Sequence, residues 1–474
     1  MSFTEYAQHD GLGLAALVEK GEVSPSELVE AAIERIERNN GALNAVVYKG
    51  FDEARRAARS VLPKGPFRGV PFLIKDLGMA VAGWPRTDGS RYVRDLVDSA
   101  DSGLVARYRQ AGVILLGKTN TPEFGITGTT ESARLGPCRS PWNPDHISGG
   151  SSGGSASATA AGIVPLAHAS DGLGSIRIPA ACCGLVGLKV ARHRNPNLPE
   201  HNVYGLSVDH VVSRTVRDSA AMLDHTGLAD PTAPYPAPAK SGPYLDEVSR
   251  SPGRLRIAWS AATPSGRAID PEVQDALEGT VELLERLGHE LSQRDLPIDQ
   301  RAMYRANRPV GGANFAAEMK RRIAAFGREP EADELEPLTW ASYKSGLRVT
   351  GEEALWGFQE MRIVSRRILE FFQDFDVFLT PVMGTPPPKI GYIDPVRLEP
   401  AEVNRRQGEV FPFTPPFNIT GQPSMSLPLA WSKSGLPIGM MLTARYADEA
   451  SLFRLAGQLE KEAPWKGRRP ALWD

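Results

Sequence analysis

Cysteine is almost missing from this chain. Of 474 residues only Cys138, Cys182 and Cys183 carry a thiol. An odd count with an adjacent pair is no disulfide framework and offers no zinc-ligand spacing. Buried free thiols in a reducing cytosol are expected instead. Charge of one sign is also lacking: the formal net charge is −2, which gives nucleic acid or an anionic membrane nothing to be drawn to. The longest apolar runs are short and broken by glycine, too short to span a bilayer. The start, Met1-Ser2-Phe3-Thr4-Glu5, has no basic region followed by an apolar core, so no secretory leader is expected. These absences point to a cytoplasmic protein with neither a nucleic-acid nor a membrane partner.

What is there is a core-forming composition, 41% hydrophobic and 23% charged. The length exceeds that of a usual single domain, yet no stretch reads as a disordered linker. No internal repeat of about 20–50 residues is found. The densest feature runs from Ile147 to Lys189. Its first loop holds four glycines and four serines between Ser148 and Ser155. A second small-residue turn follows at Asp171 to Ser175. Glycine tolerates positive φ and lets backbone approach backbone or ligand, so two such loops suggest a site built from main-chain N–H groups and hydroxyls.

Neither loop contains a histidine, which weighs against a Ser-His-Asp device. His146, just upstream, and His168, inside the stretch, each read as a surface or satisfied histidine. A serine nucleophile still needs a base, and Lys75 is the candidate. It ends the apolar, strand-like run Val70-Pro71-Phe72-Leu73-Ile74-Lys75. Burial at a strand end lowers a lysine's pKa and yields a neutral amine near pH 7. The plainer alternative pairs Lys75 with Asp76 or lets it reach solvent.

Taken together, Gly149-Gly150-Ser151-Ser152-Gly153-Gly154-Ser155, Gly174-Ser175-Ile176-Arg177-Ile178-Pro179-Ala180 and the Lys75 strand resemble the amidase signature family. Weaker agreement extends over nearly the whole chain: Gly117-Lys118-Thr119-Asn120, Asn143-Pro144 and Phe417-Asn418-Ile419-Thr420-Gly421-Gln422-Pro423. The resemblance implies a Ser-cisSer-Lys triad with Ser175 as nucleophile, Ser151 as bridging serine on a cis peptide and Lys75 as base. It implies neither metal nor cofactor. Backbone N–H groups of Gly172, Leu173, Gly174 and Ser175 are the expected oxyanion donors. Asp171, Arg177 and Ser152 are expected to support the loops, Arg177 by a guanidinium fork on Asp171 or on loop carbonyls. Phe124, Gly125 and Ile126 are candidates for the acyl pocket, with core packing the alternative for Phe124. The family commonly shows Asp-Thr-Gly-Gly-Ser where this chain has Asp171-Gly172-Leu173-Gly174-Ser175. That departure puts substrate preference in doubt, since a backbone N–H serves whatever its side chain.

Two motifs are decoys. Gly112 to Thr119 fits the phosphate-loop pattern, but its four central residues read as a strand and no helix start follows. Gly150 to Gly154 fits a nucleophile elbow, but the preceding Pro144-Asp145-His146-Ile147-Ser148 is no strand.

Along the chain, Ser24-Pro25-Ser26-Glu27 is a helix start. Helices are also expected at 52–61, 102–112, 155–161, 216–223, 271–287 and 447–460. Strands are expected at 45–48, 113–116, 163–167, 186–190, 255–260, 376–379, 425–429 and 438–442. Residues 229–244 read as a proline-rich loop, and 389–413 as irregular chain. Residues 300–372 read as a helical insertion and a lid candidate, in which Trp340, Tyr343 and Trp356 are expected to be core. The fold expectation is α/β, a mixed central β-sheet surrounded by α-helices, in one amidase domain over 1–474.

The function the resemblance implies is hydrolysis of an amide-type C–N bond (amide, anilide, carbamate or urethane) through an acyl-enzyme on Ser175. The GQP segment and the Ala463-to-Pro470 tail look like the branch that includes hydrolases of nylon-type cyclic amides and urethanes. A small-molecule amide or carbamate is the expected partner, with a homodimer possible. Two rival readings share the motifs: the amidase subunit of a tRNA-dependent transamidation complex, and a catalytically silent binding member.

Overall fold

Two larger sheets and a two-stranded ribbon, Glu131–Ser132 with Gly136–Pro137, carry the strands of the described residues, which a computed structural model gives as residues 3, 5–94, 96–196, 205–228 and 235–473. The strands of the two larger sheets, in order, are β1 (Val46–Lys49), β2 (Pro71–Lys75), β3 (Ile114–Thr119), β4 (Leu166–Asp171), β5 (Val186–Lys189) and β6 (Val208–Ser213). Then come β7 (Arg256–Trp259), β8 (Glu290–Gln293), β9 (Val377–Pro381), β10 (Ser424–Trp431) and β11 (Pro437–Ala444). The smaller sheet has the order β1-β3-β2, and the larger the order β8-β7-β9-β11-β10-β5-β6-β4. β7 pairs parallel with β8 and β9, while the pairings from β9 through β11, β10, β5 and β6 to β4 are antiparallel. The sheet is therefore mixed, as expected, and its edge strand β4 packs beside β2 of the smaller sheet. That juxtaposition brings the Lys75 end of β2 to the segment that carries the serines.

The helices that matter for the site are α1 (Pro25–Leu43), α2 (Gly103–Gln110), α3 (Gly153–Ala160) and α4 (Arg177–Cys183). Later in the chain are α5 (Gln300–Phe326), α6 (Pro337–Gly346), α7 (Gly351–Phe371), α8 (Pro400–Val410) and α9 (Glu449–Glu462). α1 begins with a complete capping box between Ser24 and Glu27 and Pro25 at its first position. Leu28, Ala32, Ile33 and Ile36 then bury one face of it. α3 is buried along its whole length because its side chains are small. A Cβ on Gly154 would lie 2.3 Å from the Asn120 nitrogen, so only glycine lets that helix meet the end of β3.

Several expectations shift. The strand placed at 163–167 begins at Leu166 and runs to Asp171. Pro165 has no N–H for a ladder, and the mostly polar run His168-Ala169-Ser170-Asp171 is strand because it pairs with β6 and its polar groups meet protein partners. Gly112 to Thr119 leads into β3 and opens no helix, which removes the phosphate-loop reading. Residues 389–413, expected to be irregular, contain α8. Its buried Val403 and Val410 are too few to announce a helical period. Trp340 is half-buried and Tyr343 buried, but Trp356 is 50% exposed on the outer face of α7 and is no core residue. Of the proline-rich loop, 229–234 lie outside the described residues, and 235–243 form no helix or strand. All three cysteines are buried and unpaired. Among the described residues no helix is long and apolar enough to cross a membrane.

Candidate active site

Lys75 is the last residue of β2 and is 0% exposed. Its Nζ donates to Ser151 Oγ at 2.6 Å and to Ser170 Oγ at 2.9 Å. Neither of the plainer alternatives applies, because the side chain reaches no solvent and Asp76 turns elsewhere. Asp76 accepts from the Thr87 hydroxyl at 2.6 Å and lies 3.8 Å from the buried Lys118 ammonium. Burial pushes the Lys75 amine down to about 7, against the pull of the Asp209 and Asp171 carboxylates.

Ser151 lies in the turn before α3, and the Gly150–Ser151 peptide is cis. The next serine fastens this turn to β4: Ser152 Oγ donates to the Ser170 carbonyl and accepts from the Ser170 N–H, both at 3.2 Å. Ser155 Oγ adds a bond to the His168 carbonyl at 2.6 Å. Gly125 approaches from the other side. A Cβ there would sit 3.1 Å from Ser151 Oγ.

Ser175 lies between the end of β4 and α4 and is half-buried. Its turn is organised by Asp171, whose carboxylate accepts from the backbone N–H of Gly174 at 2.7 Å and of Ile176 at 3.1 Å. The same carboxylate accepts from Arg177 Nε at 2.9 Å, Arg177 Nη2 at 3.0 Å and Asn418 Nδ2 at 2.9 Å. Arg177 is itself fully buried and also donates to the Thr414 carbonyl at 2.9 Å. Burial alone would raise the Asp171 pKa, but Arg177, Lys189 and Asn418 hold it well below the usual carboxylate range.

One expected oxyanion donor is corrected by this arrangement. The Gly174 N–H is already committed to Asp171, so it does not face an incoming carbonyl. The N–H groups of Gly172, Leu173 and Ser175 have no acceptor among the described residues. The Leu173 carbonyl is pinned by Thr414 Oγ1 at 2.6 Å, and its side chain is 39% exposed. The structure thus brings Lys75 and Ser151 into contact. The Ser175 hydroxyl hydrogen-bonds none of the described residues.

The three pocket candidates separate. Gly125 borders Ser151. Ile126 is half-buried against an apolar cluster that includes Phe411 and Phe417. Phe124 joins the helical segment: its ring meets Phe315 of α5 edge-on at 5.8 Å and lies 4.8 Å beneath the Arg322 guanidinium. Sequence reasoning missed Ser170, Thr414 and the Asp209 carboxylate beside His168. It touched Asn418 only through the Phe417-to-Pro423 segment. Ser170 carried one usable signal, its place directly before Asp171. Among the described residues no group of three or more His, Cys, Asp or Glu side chains could hold a metal ion.

Comparison with known proteins gives a consistent picture. The family model described as amidase matches residues 27–453. The 6-aminohexanoate-cyclic-dimer hydrolase of Paenarthrobacter ureafaciens is 36% identical over 479 residues, covering 98% of this chain and 96% of that protein. A solved structure of 6-aminohexanoate cyclic dimer hydrolase complexed with substrate superimposes with a TM-score of 0.92 at 35% identity, covering 99% of this chain and 100% of that one. A bacterial aryl acylamidase of the amidase signature enzymes family superimposes with a TM-score of 0.88 at 27% identity, covering 97% of each chain.

Proposed function

This chain belongs to the amidase signature family, and from that premise we propose that it hydrolyses uncharged amides, cyclic amides, anilides or carbamates through an acyl-enzyme on Ser175. The observation that carries the reading is the 2.6 Å contact between Lys75 Nζ and Ser151 Oγ, made by an amine that burial brings down to about 7. In its neutral form that amine accepts the Ser151 proton through the same contact. Ser151 takes the proton of Ser175, and Ser175 Oγ attacks the acyl carbon. The link from Ser151 to Ser175 closes as the acyl group seats, since catalytic hydrogen bonds tighten in the complex. The carbonyl oxygen, now negative, is received by the N–H groups of Gly172, Leu173 and Ser175. One such donor is typically worth about 3–4 kcal/mol.

Collapse of the tetrahedral adduct breaks the C–N bond. The relay runs backward, from Lys75 through Ser151 to the departing nitrogen, so the amine leaves protonated. Water then attacks the acyl-enzyme by the same route and frees Ser175. The exposed Leu173, beside the Ser175 turn, supports a substrate with apolar or aryl substituents. The relatives named for cyclic amide and aryl acylamide hydrolysis support the same class. In this reading the helices of 300–372, which hold Phe124 through Phe315, cover the substrate as a lid.

The test is a side-by-side hydrolysis panel of aryl carbamates, anilides, cyclic amides and small polar amides, using the parent chain and Ser175→Ala. Turnover of the apolar substrates that vanishes in Ser175→Ala supports the reading. Preference for small polar amides, or activity that survives Ser175→Ala, overturns it.

A further inference from the structure

Behind Lys75 lies a pair of side chains to which the relay above gives no task. His168 and Ser170 stand two residues apart on β4 and so share one face of the sheet. Asp209 of β6 is the direct cross-strand partner of Ser170. That face looks toward the end of β2. The His168 imidazole is fully buried; its Nδ1 accepts the Lys75 backbone N–H at 3.3 Å, which leaves Nε2 protonated and 3.3 Å from Asp209 Oδ1. Burial keeps this imidazole neutral by lowering its pKa, against the pull of Asp209. Ser170, in turn, accepts from Lys75 Nζ. The base is therefore held at its backbone by His168 and at its amine by Ser170, and Asp209 stands next to both.

We propose that Asp209, seated by the His168 imidazole, is a positioning residue that sets the pH range in which Lys75 serves as base. The proposal rests on the Ser175–Ser151–Lys75 reading above. The groups facing Lys75 make the assignment specific. From α3's turn comes Ser151, a neutral hydroxyl. From β4 come His168, neutral, Ser170, neutral, and Asp171, whose charge is already matched by Arg177. From α2 comes Tyr108, its ring edge-on to His168 at 5.9 Å and its phenol pushed far above its ordinary range by burial and by Asp209. Asp209 is the one carboxylate in this set with no guanidinium or ammonium in contact among the described residues. Its side chain is 14% exposed, at the rim of the buried cluster. A carboxylate there favours the protonated amine, in opposition to burial.

The experiment uses a fluorophosphonate probe, which reports Ser175 reactivity without knowledge of the physiological substrate. The rate of labelling is followed across neutral pH in the parent, Asp209→Asn, Asp209→Glu and His168→Leu. In the parent the rate climbs to a plateau as Lys75 loses its proton. Asp209→Asn moves that climb to lower pH by about half to one unit, so that below the parent midpoint the variant labels about 3–10-fold faster. A merely structural role predicts slower labelling at every pH. Asp209→Glu restores the parent midpoint. His168→Leu, which unseats the carboxylate, shifts the climb in the same direction as Asp209→Asn and decides the matter should that variant fail to fold. Superimposable parent and Asp209→Asn profiles, or equal shifts in Asp209→Asn and Asp209→Glu, overturn the proposal. Absence of labelling at Ser175, or a pH climb that survives Lys75→Met, strikes the triad reading instead.

Discussion

Lys75 and Asp76 are neighbours in the chain and do not pair. At the end of β2 their side chains leave on opposite sides, as alternation along a strand requires. Lys75 enters the serine cluster, while Asp76 turns to Thr87 and the buried Lys118. The amine is thereby buried among hydroxyls with no carboxylate in contact, and desolvation wins. Had the two paired, the charged form would have been held and the neutral amine of the proposed relay lost.

This predicts a pH profile. Fluorophosphonate labelling of Ser175 should rise about tenfold per pH unit below about 7 and flatten above it, because only the neutral amine accepts a proton. The same shift appears in stability. Between about 7 and the ordinary 10.5 of a lysine, the unfolded chain holds a proton that the folded chain has released, so stability from this group rises with pH across that window. Urea unfolding at several pH values, compared with Lys75→Met, measures it: the variant should lose that slope. Labelling of Lys75→Met should fall by about 10²–10⁴-fold at its plateau.

Asp171 and Arg177 predict a stability effect of the same sign in pH, in the acid range. Arg177→Met leaves a fully buried carboxylate without its guanidinium, which should cost about 3–5 kcal/mol in urea unfolding. In the parent, the depressed Asp171 pKa contributes stability that is present above the ordinary 3.8 and lost as pH falls through the folded value. Acid unfolding should begin at higher pH in the variant than in the parent.

Gly125 is the backbone neighbour of Ser151. Its φ of +69° lies in the left-handed region, and an added Cβ would meet Leu77 Cδ2 at 2.7 Å as well as Ser151 Oγ. Gly125→Ala should therefore cost about 1–2 kcal/mol in stability. It should also slow labelling of Ser175 by tenfold or more, since displacement of a reacting group by about 1 Å costs on the order of 10²-fold. Melting and labelling rates on one preparation check both.

Leu173 makes the complementary case. Its exposure means that Leu173→Ser should leave stability within about 0.5 kcal/mol of the parent. The kcat/KM ratio of an anilide to a small aliphatic amide should fall by about 10-fold or more, the worth of a methylene or two of apolar contact. An unchanged ratio would remove Leu173 from the substrate pocket.

Much of this molecule was open to reading one residue at a time. The Ser24 cap, the α/β alternation, the buried strand ending in Lys75 and the small-residue helix after Ser155 each depend on local propensity and on the period of apolar residues. What escaped was polar and distant. His168-Ala169-Ser170-Asp171 shows no strand period, because the His168 and Ser170 side chains face Lys75 and Asp209 from other strands and Asp171 is met by Arg177 and Asn418. Nothing in the sequence near Gly174 says that its N–H faces Asp171, and α8 showed too little apolar pattern to be seen.

By itself the sequence determined the candidate groups of the proposed relay and the loops able to hold them, since hydroxyls, an amine and glycines are properties of residues. Only the tertiary structure decided the state of those groups. It packed β2 against β4, excluded water from one lysine and left the Asp209 carboxylate beside an imidazole. Those choices arise from desolvation and from contacts between segments as far apart as Lys75 and Ser170, which no local pattern fixes.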